Sequence, residues 1–144
     1  MTISLSRLSR LSQPCPMPTP TTDATLAVLY DDLDSEQGRV CYDYFPVCPN
    51  ASGVGMGDGS CFVVEWEDRV HFNGANFTDG VTFEVVLYQG GNILYQYADV
   101  DHEDPAFSNG LEAMVGIEDE VADGTYMLEY QSCAGTITND LAIL

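Results

Sequence analysis

"VTFEVVLYQGGNILYQYADV", residues 81–100, is the stretch whose reading decides the fold. Val81, Phe83, Val85 and Leu87 recur at every second position, the spacing that places side chains on one face of an extended strand. "QGGN" (89–92) then supplies the small, turn-forming residues of a tight connection, and "ILYQYADV" (93–100) returns as the second arm of a hairpin.

Working outward, the same theme repeats from residue 26 on: short β-branched and aromatic runs separated by Gly, Asp or Asn. "TLAVLY" (25–30) is a first strand, ended by "DDLD" (31–34), and "RVCYDYF" (39–45) is a second. "CFVVEWEDRV" (61–70) sets Phe62, Val64 and Trp66 on one face against Glu65 and Glu67 on the other. "LEAMVGI" (111–117), "TYMLEY" (125–130) and "TITNDLAI" (136–143) complete about eight strands, none of which contains proline. The expectation is an all-β chain: a single antiparallel sandwich of jelly-roll type over residues 23–144, with helix nearly absent.

The 144 residues suit one such domain and a short extension, and a hydrophobic content of 45% is enough for a packed core. The net charge of −19, with no lysine, argues against nucleic acid or an anionic membrane as partner. No apolar run is long enough to span a bilayer, so no membrane insertion is expected. Five cysteines in so short a chain point to an oxidising compartment, hence to an extracellular or cell-surface protein. The opening lacks the continuous apolar core of a secretory signal, so the chain reads as a mature or trimmed form of an exported protein. Cys48 and Cys61 bracket a glycine-rich loop that their pairing would staple; Cys41–Cys48 is the alternative, and Cys15 is the candidate for the thiol left over.

The first 22 residues have another character. Pro14, Pro16, Pro18 and Pro20 enforce a polyproline II stalk over residues 14–22, about 28 Å long at roughly 3.1 Å per residue. Ahead of it, residues 1–13 form a cationic, aliphatic strip with Ile3, Leu5, Leu8 and Leu11 between serines, and with Arg7 and Arg10. All 23 acids fall in residues 23–144, where only Arg39 and Arg69 oppose them, giving −21 against +2 for the strip. A frayed tail or a first strand in its own sheet would account for such a strip. The sharper expectation is strand donation: Ile3, Leu5, Arg7, Leu8, Arg10 and Leu11 dock head-to-tail on the next copy of the chain, a contact that propagates into a homopolymer.

Among residues that could carry chemistry, "DDLD", "DVDHED" (99–104) and "EDE" (118–120) offer loop carboxylates. Asp31, Asp32 and Asp34 lead as candidate Ca²⁺ ligands, since calcium collects six to eight oxygens and i, i+2 spacing supplies them. His71 and His102 stand isolated, with no zinc-site spacing and no nucleophile elbow nearby, and no carboxylate pair is marked as acid and base, so no enzyme is expected. Trp66 shares its face with Phe62 and Val64 and reads as core. The tyrosines at 88, 95, 97, 126 and 130 are either core or a sugar platform, so glycans stand as a second candidate partner. Asn50 and Asn76 lie in glycosylation tripeptides, and Thr19, Thr21 and Thr22 in the stalk suit O-glycosylation.

The order "LYDDLDSEQGRVCYDY … CFVVEWEDRVHF … VTFEVVLYQGGNILYQYADV … MVGIED … LEYQSC … ITNDLAIL" resembles a bacterial extracellular β-sandwich module. Such modules are accessory domains of large secreted and cell-surface proteins, including subtilisin-like proteases. The resemblance covers about residues 26–144 and implies a non-catalytic sandwich. Extra cysteines around the 46–60 loop and the absence of an attached protease domain set this chain apart. The resulting expectation is a non-enzymatic extracellular subunit that polymerises into a surface filament. The alternative is a carbohydrate- or calcium-binding accessory module.

Overall fold

The computed structural model describes residues 24–49, 59–72, 78–118 and 127–144. Eight strands appear among them: β1 (Thr25–Tyr30), β2 (Arg39–Phe45), β3 (Cys61–Arg69), β4 (Val81–Tyr88), β5 (Ile93–Asp99), β6 (Met114–Glu118), β7 (Met127–Ser132) and β8 (Leu141–Ile143). They form two antiparallel sheets, one ordered β1-β6-β7 and the other β2-β3-β4-β5-β8, so that β2 to β5 run as a consecutive meander. The all-β sandwich expected from the alternation is what the chain adopts.

Pairing Val85 with Tyr95 and Phe83 with Tyr97 places the hairpin's even-spaced apolar residues on one face. There they meet Val28 and Leu29 of β1, Val64 of β3, Val115 of β6 and Ile137 in a single buried cluster. Trp66 packs at its margin, stacked on Phe83 with ring centroids 5.0 Å apart, as its position beside Phe62 and Val64 implied. Two phenols tie the sheets together: Tyr97 Oη donates to the Val28 carbonyl at 2.5 Å and Tyr95 Oη to the Gly116 carbonyl at 3.0 Å. Burial holds both hydroxyls well above the ordinary phenol pKa, so each stays a donor.

The opposite face of the meander is partly covered too. The Cys48–Cys61 disulfide closes a 13-residue separation and packs with Val86, Tyr88 and Leu94. That second cluster is why β4 buries side chains on both faces. The free thiol among the described residues is Cys41, and Cys133 is disulfide-bonded; Cys15, expected to be the spare thiol, lies outside the described residues.

Two expected strands are displaced. Residues 111–113 belong to a turn, because Asn109 and Gly110 take positive φ values of 59° and 69° and Leu111 N–H bonds back to the Ser108 carbonyl; β6 therefore starts at Met114. In "TITNDLAI" only Leu141–Ile143 joins the sheet. The preceding residues are held by side chains instead: Gln131 Oε1 accepts from Thr136 N–H and Oγ1–H, and Asn139 Oδ1 accepts from Val100 N–H at 2.8 Å. Ile137 still fills the core, fully buried, from an irregular segment.

Candidate functional site

Three places depart from a sandwich whose apolar residues face inward, and the first is β2. Val40, Tyr42 and Tyr44 pair with Trp66, Val64 and Phe62, which puts them on the same face as the core. They are nevertheless exposed, at 37%, 73% and 57%. The phenol bonds that join the sheets come from β5, three strands away, and β2 lies at the sheet's margin among the described residues. Tyr42 leans on Phe62 at 5.8 Å, so the exposed surface is a continuous aromatic strip.

The backbone of β2 is offered as well. Tyr44 N–H donates to the Asp43 carboxylate at 2.7 Å. In an antiparallel ladder residues alternate between bonding the partner strand and facing away from it. Val40, Tyr42 and Tyr44 are therefore the residues whose N–H and C=O groups face the open margin. Exposed edges invite further strands, and natural sheets guard them with charge. The guards are Asp43, on the Tyr44 amide, and Arg39, whose guanidinium grips the Glu67 carboxylate at 2.5 and 2.7 Å and has its pKa raised by that hydrogen bond.

On the outer face Glu65 stands directly opposite Glu84. Burial, and secondarily the charge of Glu65, pushes the Glu84 carboxyl above its ordinary range. Both line an open groove of about 330 Å³ beside Cys41, Phe45, Cys48 and Val63.

The third place lies where the chain leaves β1 and β3. Asp34 N–H bonds the Val70 carbonyl at 2.8 Å and Phe72 N–H bonds the Asp32 carbonyl at 2.7 Å, so residues 32–34 run beside residues 70–72. That short ladder carries Asp31 to His71. His71 Nε2 lies 3.5 Å from Asp31 Oδ1 and 3.5 Å from Glu112 Oε2. The His71 and Asp31 side chains are each 4% exposed, whereas Glu112 is 55% exposed. Phe107 stacks on the His71 ring at 4.1 Å, and the buried His102 ring meets it edge-on at 5.8 Å. Burial opposes a charge on His71, but Asp31, with Glu112 and Asp32 behind it, outweighs burial and raises its pKa. For His102 burial prevails, helped by His71 and resisted by Asp31, and its pKa falls.

The structure thus redistributes the residues singled out in the sequence. Of the three aspartates proposed for calcium, Asp31 joins His71 and Glu112, and the donor atoms of these three lie within 4.8 Å of one another. Asp34 is committed to its own turn, accepting from Glu36 N–H at 2.8 Å and Gln37 Nε2 at 3.3 Å, while Asp32 N–H is bonded by Asp31. Tyr88, Tyr95 and Tyr97 are buried, which removes them from any sugar platform; Tyr130 is half-exposed and Tyr126 lies outside the described residues. So do the strip residues Ile3, Leu5, Arg7, Leu8, Arg10 and Leu11, the stalk threonines Thr19, Thr21 and Thr22, and both sequon asparagines, Asn50 and Asn76. Tyr42, Tyr44, Glu112 and the meeting of the two histidines are the features that sequence reading missed. The alternation of "RVCYDYF" carried the tyrosines, but nothing in it distinguishes a covered face from a bare one.

Among the described residues no helix is long and apolar enough to cross a membrane. A family model described as NIDO related matches residues 2–142. No curated protein and no solved structure matches the chain.

Proposed function

The chain belongs to the NIDO-related family, named for an extracellular domain of large secreted proteins, and from that premise we propose that it is a non-enzymatic extracellular subunit that assembles by strand donation. Residues 1–13 of one copy add to β2 of the next, at the surface of a bacterial cell, and the chain of contacts grows head-to-tail. The observation that carries this reading is the bare aromatic face of β2 together with its outward-facing backbone. Strand addition uses both at once: main-chain hydrogen bonds give the affinity, and alternate side chains find apolar partners.

The strip has the complementary properties. Ile3 and Leu5 alternate as a strand requires, and three exposed residues, Val40, Tyr42 and Tyr44, offer three N–H and three C=O groups. Six hydrogen bonds at a net of about 1 kcal/mol each would supply roughly 6 kcal/mol. Docking requires the Asp43 carboxylate to release the Tyr44 amide. Arg7 or Arg10 arriving at that edge would give Asp43 a cationic partner in exchange. Deleting residues 1–13 tests the reading by sedimentation velocity: the full chain is expected to form concentration-dependent polymers and the truncated chain to stay monomeric. Equal behaviour of the two would refute it.

One observation favours a second reading. Tyr42 and Tyr44, two residues apart on one exposed face, have the spacing of a carbohydrate platform. A glycan-array signal that vanishes in a Tyr42→Thr/Tyr44→Thr variant, while the oligomeric state is unchanged, would support that reading over assembly. Calcium bound through Asp31, Asp32 and Asp34 has no comparable support, since Asp34 is engaged in its own turn.

A further inference from the structure

We propose that Asp31, His71 and Glu112 bind a divalent transition-metal ion of the zinc class, independently of strand donation. The carboxylates alone would mean little on so acidic a surface. What marks the site is His71: its ring is buried, and neither Nδ1 nor Nε2 has a hydrogen-bond partner, although Nε2 is directed at two carboxylates. A buried imidazole nitrogen without a partner is costly unless something occupies its lone pair.

The separations say what that occupant is. A hydrogen bond from Nε2–H would bring each oxygen to about 2.7–3.2 Å. Both distances are 3.5 Å. Ligands bound to zinc at about 2.0–2.2 Å and at the tetrahedral angle stand roughly 3.3–3.5 Å apart. The two separations from His71 Nε2 are therefore those of neighbours across an ion, and all three donors lie within 4.8 Å of one another. Charge agrees: the two carboxylates that favour a proton on His71 would equally favour a metal in its place. With that proton displaced, the imidazole and two carboxylates present −2, which a divalent cation cancels. Protein cations are scarce, since the chain has no lysine and Arg39, one of its four arginines, is paired with Glu67.

The donor set also selects the metal. Calcium takes six to eight oxygens, whereas one imidazole with two carboxylates suits Zn²⁺, Co²⁺ or Ni²⁺. Three protein ligands leave a fourth tetrahedral position for water or an outside ligand. Glu112, on the turn ahead of β6 and half-exposed, gives the ion a way in. Phe107, stacked on a face of the His71 ring at 4.1 Å, holds the ring plane in place.

The test uses the full chain with Cys41→Ser, so that the free thiol cannot supply a ligand, after chelator treatment. Zn²⁺ is titrated by calorimetry, and Co²⁺ by its visible absorption. One ion per chain is expected, with intense tetrahedral Co²⁺ bands and no displacement by millimolar Ca²⁺. Saturation at about a hundredfold over Kd should raise Tm by roughly 5–10 °C. Glu112→Gln, at an exposed position that leaves folding intact, should weaken binding at least about tenfold, and Asp34→Asn should not. His71→Asn should abolish binding; if that variant fails to fold, Glu112→Gln decides alone. Unchanged affinity in Glu112→Gln, equal loss in Asp34→Asn, displacement by Ca²⁺, or absence of binding would each overturn the proposal.

Discussion

If the chain assembles by the proposed strand donation, replacing Tyr42 and Tyr44 together by threonine should abolish that assembly and leave the monomer folded. The magnitude follows from what the two rings leave open. At about 200 Å² per tyrosine side chain, exposures of 73% and 57% leave roughly 260 Å² available to a docked strand. At about 25 cal/mol/Å² that surface is worth roughly 6 kcal/mol gross, of which threonine and the lost phenol contacts with water return a third, leaving about 4 kcal/mol. A loss of that size corresponds to roughly a thousandfold in association constant. Threonine keeps the β-propensity of an edge strand, and exposed substitutions seldom cost the monomer more than about 0.5 kcal/mol. Sedimentation velocity across a concentration series reads the association, and a thermal melt of the same samples reads the fold. Polymers of undiminished affinity in the double variant would refute the reasoning, because the β2 face would then play no part.

Other substitutions probe separate links. Val40→Pro removes an amide that faces the margin of β2, so pairing with β3 should persist while strand addition fails; native-like circular dichroism with lost sedimentation of polymers is the expected pair of results. Tyr97→Phe deprives the Val28 carbonyl of its donor and should cost about 1–3 kcal/mol, read by urea denaturation; an unchanged midpoint would show that the phenol is not what ties β5 to β1. Glu84 has a raised pKa in the folded state, so the fold binds its proton more tightly than the unfolded chain does, and ionisation above the folded pKa lowers stability. Glu84→Gln should therefore melt higher than wild type at pH 7, and the gap should shrink as the pH falls through the acid range; a gap that does not change with pH would contradict this.

Period-two alternation made most of the sheet legible because it reports which residues share a face. "VTFEVVLY" and "ILYQYADV" were recoverable for that reason, and β1, β2 and β3 with them. Alternation does not report whether anything lies above the face. Tyr42 of β2 and Tyr95 of β5 obey the same pattern, yet one is 73% exposed and the other 4%. The start of β6 was missed because the positive φ of Asn109 and Gly110 turns the chain first. That of β8 was missed because side chains replaced the backbone ladder: Gln131 and Asn139 satisfy groups that a strand partner would otherwise take. The Cys48–Cys61 staple was one of two short closures that the sequence offered; Cys41–Cys48 was the other, and the structure pairs Cys48 with Cys61 and leaves Cys41 free. The His71 cluster was not, since it joins residues 31, 71 and 112 from three separate connections, and only the packing of the two sheets brings those ends together.

Electron cryo-microscopy of the 144-residue chain at high concentration tests strand donation most directly. Strand donation predicts filaments in which the first dozen residues of each subunit lie as an added strand along Arg39–Phe45 of its neighbour, over Tyr42 and Tyr44. Particles that remain single, or filaments in which that strand packs against the body of its own chain, would contradict it.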